Sequence, residues 1–106
     1  MSKPLRVPYT DGALVDINDI ETFIARDNPI AAAKVLVAIE SAVELLIQFP
    51  EKSRMTHRRG LRALALRHYP YIVFFRLKPK VLEVVHVLHS ARRHPGFSDA
   101  AATFAR

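Results

Sequence analysis

Tyr71-Ile72-Val73-Phe74-Phe75-Arg76-Leu77, Lys78-Pro79-Lys80 and Val81-Leu82-Glu83-Val84-Val85-His86-Val87-Leu88-His89 form the stretch that decides the fold. The two outer runs are rich in aromatic and β-branched residues, the composition of strands inside a sheet. The short Lys78-Pro79-Lys80 connection leaves no room for a parallel crossover, which needs about a dozen residues. The two runs are therefore antiparallel neighbours. Upstream, Leu61 to Arg67 alternates weakly, and His68-Tyr69-Pro70 joins it to the next run. A third antiparallel strand is expected there. By alternation, Ile72, Phe74 and Arg76 share one face, and Tyr71, Val73, Phe75 and Leu77 the other. In the last run Leu82, Val84, His86 and Leu88 share a face, opposed by Val81, Glu83, Val85, Val87 and His89.

The first half of the chain has a different period. Leu5 to Thr10 reads as a short edge strand, because Pro8 cannot donate to a ladder. Thr10-Asp11-Gly12 is a turn with a helix N-cap. Ala13, Ile17, Ile20 and Ile24 then recur at helical spacing. Asn28-Pro29 ends this helix and starts the next, with Asn28 as N-cap and Pro29 in the first turn. The second helix runs from about Pro29 to Gln48. Its polar stripe is narrow (Lys34, Ser41, Glu44 and Gln48, with Glu40 beside it), so it is expected to be covered on more than one side. Either the first helix and the sheet supply that cover, or part of it meets another chain. Glu51 to Gly60 reads as a polar, basic connection, Arg92 to Phe97 as loop, and Ser98 as the cap of a last Ala-rich turn. The expected architecture is α+β: an N-terminal strand, a helical hairpin, then an antiparallel three-stranded meander with the helices on one face. A single domain is expected over 1–106, with its core at about 5–97.

Composition excludes several classes. The 106 residues are 50% hydrophobic and 25% charged, enough apolar surface for a folded core. There is no Cys, hence no disulfide framework, Cys-based zinc site or thiol nucleophile. The opening Met1-Ser2-Lys3-Pro4-Leu5-Arg6 lacks the apolar core of a secretory signal, and no run is long enough to span a membrane. Gly12, Gly60 and Gly96 are isolated, so no phosphate-cradling loop is present. No carboxylate pair stands out near the strands, and no nucleophile elbow surrounds Ser90. His86, His89 and His94 lack acidic co-ligands, and alternation separates His86 from His89. No metal and no cofactor is expected.

Charge is unevenly placed. Residues 1–50 carry four bases and seven acids; residues 51–106 carry twelve bases and three acids, together with all five His. The second half thus expects an anionic partner, either nucleic acid or an acidic protein segment. Its Arg and His cluster comprises Arg58, Arg59, Arg62, Arg67, His68, Arg76, His86, His89, Arg92, Arg93 and His94. A basic sheet face of this kind can cradle RNA and supply acid–base groups, or grip an acidic peptide.

Several stretches, in order, resemble the ParE branch of the RelE/ParE toxin superfamily: the opening strand with Asp16-Ile17-Asn18-Asp19-Ile20; Asp27-Asn28-Pro29-Ile30-Ala31-Ala32; Ile39-Glu40 to Leu46 and Phe49-Pro50; Arg62-Ala63-Leu64; Tyr69-Pro70-Tyr71-Ile72-Val73-Phe74-Phe75-Arg76; and Val84-Val85-His86-Val87-Leu88-His89-Ser90-Ala91-Arg92. The resemblance spans about residues 5–97. It implies the same fold and a cytoplasmic bacterial toxin of a type II toxin–antitoxin pair that serves plasmid or chromosomal-element maintenance. It implies a toxin–antitoxin hetero-oligomer, neutralised by an antitoxin whose extended C-terminal segment wraps the toxin; an acidic, apolar segment is expected. ParE-like members block DNA gyrase without being enzymes, whereas RelE-like members cleave mRNA with basic residues and often a C-terminal tyrosine or histidine. Arg92 and Arg93 stand near where RelE-like members carry a catalytic arginine, but no Tyr follows Tyr71, and His86 stands where ParE-like chains commonly have Arg. The expectation is therefore gyrase inhibition, with Arg58, Arg59, Arg62, Arg76, Arg92 and Arg93 as the antitoxin- or target-binding surface. The alternative is a metal-independent endoribonuclease using His86, His89, Arg92, Arg93 or His94.

Overall fold

A computed structural model describes residues 6–91. Helix α1 (Asp11–Ala25) and helix α2 (Pro29–Gln48) precede a helical turn at Pro50–Lys52. Four strands follow: β1 (Arg54–Met55), β2 (Arg62–Ala65), β3 (Tyr71–Lys78) and β4 (Val81–His89). The order across the sheet is β1-β2-β3-β4, all neighbours antiparallel. This is the expected α+β arrangement, with two corrections: the meander has four strands rather than three, and from Arg6 on the opening segment forms isolated bridges rather than a strand. The segment read as a plain connection contains β1, because Arg54 and Met55 pair with Ala63 and Arg62. The opening segment makes two isolated parallel bridges to the outer edge of β4, Arg6 to Val81 and Tyr9 to Val84. The Pro8 carbonyl accepts from Val84 N at 2.9 Å, so the missing proline N–H costs nothing at this edge. The cap expected at Ser98 lies outside the described residues, as do Leu5, Arg92, Arg93 and His94.

Both helix starts form as the side chains dictate. Thr10 Oγ1 accepts from Ala13 N, and Asn28 Oδ1 accepts from Ala31 N, each at 3.0 Å. Pro29 sits in the first turn, where its missing donor is harmless. Along α2, Ala32, Val35, Ile39, Val43 and Leu46 are buried in one stripe. The helix packs on α1, and Val35, Ile39, Val43 and Leu46, with Ala13, Tyr71, Val73, Phe75, Leu82, Val84 and Val87, form the core between hairpin and sheet. The first helix and the sheet both cover α2, as one of the two expected alternatives had it, and the rest of its apolar surface stays open. Ile30, Val37 and Leu45 are exposed there. Tyr9 borders the same core, and burial, then the carboxylates of Glu40 and Glu44, raise its phenol above the usual tyrosine value.

The sheet has a second apolar layer on its other face, with Leu61, Ala63, Ile72, Phe74 and Leu88 buried together and Val85 beside them. This explains why Tyr71 to Phe75 is one unbroken apolar run: every residue of it is buried.

Register corrects the alternation expected for the last strand. Phe74 pairs with His86 and Phe75 with Val84, so Val85 is an extra residue in β4. A bulge of this kind shifts side-chain phase by one position. Leu82, Val84 and then Val87 enter the helix-side core, while Val85 and Leu88 join the opposite layer.

Candidate functional site

The bulge is held by the N-terminal turns of α1. Thr10 Oγ1, already capping the helix, donates to Val85 O at 2.7 Å, and Thr10 N donates to Val84 O at 3.0 Å. Two turns on, Asp16 Oδ2 accepts from Val87 N at 3.0 Å and from His86 Nδ1 at 2.7 Å. Thr10 and Asp16 thus satisfy backbone groups of the bulged segment, and each buried group left unpaired there would cost about 1–3 kcal/mol. The His86 ring lies so close to α1 that a Cβ at Gly12 would stand 2.7 Å from its Cε1. Gly12 is there for close approach.

Substituting Gly12 by Ala is expected to destabilise the protein by about 1–2 kcal/mol, despite alanine's better helix propensity, because the ring must leave Asp16. In a His86→Ala background the same change becomes neutral or stabilising. Denaturant unfolding of the double-mutant cycle measures this, and a cost that persists without His86 would refute the packing argument.

His89 also faces the helices. It pairs with Tyr71, and the two rings meet edge-on at 5.4 Å, while His89 Nδ1 accepts from Ala91 N at 3.1 Å. A cavity of about 200 Å³ opens beside it, lined by Asp16, Asp19, Phe23, Tyr71, Val87 and His89 among others. The bulge therefore puts both imidazoles on the helix side, not on opposite faces as alternation implied. Among the described residues no group of three or more His, Asp or Glu is placed to hold a metal.

The expected arginines are dispersed. Arg62 is a structural tie: its Nε donates to Ser53 Oγ at 2.7 Å and its Nη1 to Met55 Sδ at 3.0 Å. Arg58 and Arg59 are exposed in the β1–β2 turn. Arg76 is exposed on β3 opposite Glu83, on the face of Ile72 and Phe74. Arg54, paired with Ala63, faces the same way.

A second cavity, of about 270 Å³ and mostly apolar, runs between α2 and the β2–β3 connection. Ala38, Ala42 and Leu45 form one wall, Leu64, Leu66 and Tyr69 the other, with Arg67 and His68 at its border. The small Ala38 and Ala42, one turn apart, leave the space open. Sequence reasoning missed this groove, although two alanines at helical spacing opposite an apolar connection were its signal.

A helical hairpin laid on one face of a small antiparallel sheet is the architecture of the RelE/ParE-like toxins. The chain belongs to the ParE toxin family of type II toxin–antitoxin systems (parDE), whose family model matches residues 7–94. It is 33% identical over 90 residues to the Y4kP protein of Sinorhizobium fredii, covering 85% of this chain and 93% of that one. It is 28% identical over 87 residues to toxin RelE2 of Caulobacter vibrioides, covering 82% and 97%. In structure it is similar to a chain of the chromosomal ParDE system of P. aeruginosa, with TM-score 0.72, 24% identity and coverage of 83% and 98%. It also resembles a chain of the Mycobacterium tuberculosis RelBE2 toxin–antitoxin complex, with TM-score 0.56, 21% identity and coverage of 81% and 98%. The protein is a toxin of a type II toxin–antitoxin pair. Among the described residues no helix is long and apolar enough to cross a membrane.

Proposed function

We propose that this toxin acts by inhibiting DNA gyrase, in the cytoplasm, in the service of plasmid or chromosomal-element maintenance. The observation that supports the reading is, among the described residues, the separation of the imidazoles from Arg54 and Arg76. His86 and His89 lie on the helix side of β4, His86 bonded to Asp16 and His89 beside a cavity that also has Asp19 in its wall. Arg54 and Arg76 lie on the opposite face. General acid–base groups and phosphate-binding cations on opposite faces do not converge on one scissile bond. The carboxylates beside the imidazoles also repel a phosphodiester. Blocking a large enzyme by surface contact needs no such convergence.

The test is a supercoiling assay with purified gyrase and the full-length toxin. Inhibition, with trapped cleavage complexes, is the expected result. Unchanged supercoiling at excess toxin, with discrete cuts in mRNA by primer extension after induction, would replace this reading with the ribonuclease one.

The partner in neutralisation is an antitoxin, as the similarity to chains of the ParDE and RelBE2 systems supports. Its apolar segment docks in the groove between α2 and the β2–β3 connection, with acidic residues beside Arg67 and His68. Charge complementarity there favours an acidic segment and speeds its association.

A further inference from the structure

We propose that the end of the sheet formed by the β1–β2 and β3–β4 turns binds the phosphate backbone of duplex DNA. This goes beyond the gyrase reading and needs no gyrase to be tested. Arg62 opposite Phe75 sets the two turns side by side, because β2 begins where β3 ends. Arg58 and Arg59 therefore stand at the same end as Lys78 and Lys80, with Arg76 on the strand below and Arg6 bridged to Val81 at the outer edge. All six are exposed. The acid on these strand ends is Glu83, whose Oε1 is 3.9 Å from Lys78 Nζ. Six cations against that acid make this end strongly cationic.

The turns are ordered before any partner arrives. Thr56 Oγ1 accepts from Arg58 N at 3.1 Å and donates to Leu61 O at 2.9 Å, and Leu61 N donates to Arg58 O at 3.1 Å. Gly60 supplies the positive φ of 76° that closes the loop. Pro79 fixes the backbone of the other turn. Cations on pre-set turns lose little freedom when they meet a regular array of phosphates.

The kind of polyanion follows from what these turns lack. Thr56 to Leu61 and Arg76 to Val81 contain no Phe, Tyr or Trp on which unpaired bases would stack. An acidic peptide gains most from an apolar groove, and the groove lined by Leu64, Leu66 and Tyr69 is at the opposite end of β2. A surface of point charges without groove or stacking platform suits duplex backbone, where counterion release supplies the affinity.

The experiment is fluorescence anisotropy of the full-length toxin with labelled duplexes of about 30 base pairs in two unrelated sequences. With about four of these cations on phosphates at once, the log–log salt slope is about −3.6, so affinity falls roughly 100-fold between about 50 and about 200 mM salt. Both sequences bind alike. The Arg59→Gln, Lys78→Gln, Lys80→Gln variant makes the slope shallower by roughly two to three units, whereas Arg67→Gln, at the other end of the sheet, leaves it unchanged. Three results would each overturn the proposal: a triple variant that binds as the parent does, tighter binding to single strands than to duplex, or displacement by polyglutamate at equal charge concentration. Because gyrase is absent from the assay, failure here and failure of gyrase inhibition are separate outcomes.

Discussion

Phe75→Ala lowers the unfolding free energy by about 3–5 kcal/mol. Phe75 is 0% exposed and lies in the core between sheet and hairpin, at the register step where β4 bulges. Removing the ring leaves a cavity that the surrounding strands cannot close, because β3 is buried on both faces. A domain of this size has about 5–15 kcal/mol in total, so the variant sits at or near its folding limit. Leu77, two residues on and 42% exposed, gives the contrast: Leu77→Ala is expected to cost less than about 1 kcal/mol. Urea unfolding of the two variants decides it. Equal costs would mean that the helix-side core does not extend past Val73 as described.

Leu45→Glu is expected to weaken antitoxin binding by roughly 100- to 1000-fold, the effect of about 3–4 kcal/mol. Leu45 lines the apolar groove but is 38% exposed, so a carboxylate there is solvated in the free toxin. In the complex that carboxylate is buried against an apolar, acidic segment, without a partner and with like charges near it. Val37, exposed on α2 and not part of the groove wall, supplies the control: Val37→Glu leaves the affinity within a few-fold. Calorimetric titration of toxin with its antitoxin measures both. Wild-type affinity for the Leu45 variant would move the docking site elsewhere.

The helix boundaries were legible because their causes are local. Thr10 and Asn28 cap, and Pro29 starts, with the same atoms that any short peptide would use. Strand β3 was legible for a similar reason: its apolar run and its short turn carry their own instructions. The candidate site was not legible to the same degree. Alternation assigned His86 and His89 to opposite faces, and one inserted residue in β4 reversed that. A bulge leaves no mark in composition. Its cause here is a set of contacts from α1, Thr10 to Val85 and Asp16 to Val87, between residues far apart in sequence.

By itself, then, the sequence determined the element order, the helical hairpin, the antiparallel neighbours and the family, since periodicity, caps and turn length act over a few residues. It also determined that the second half is basic. Only the tertiary structure decided where those charges go. Strand pairing gathers Arg59, Lys78 and Lys80 at one end of the sheet and makes Arg62 an internal tie to Ser53. The packing of α1 on β4 places Asp16 under His86 and so separates the imidazoles from Arg54 and Arg76. Register, bulge and helix–sheet docking are non-local balances of hydrogen bonding and burial, and no window of residues contains them.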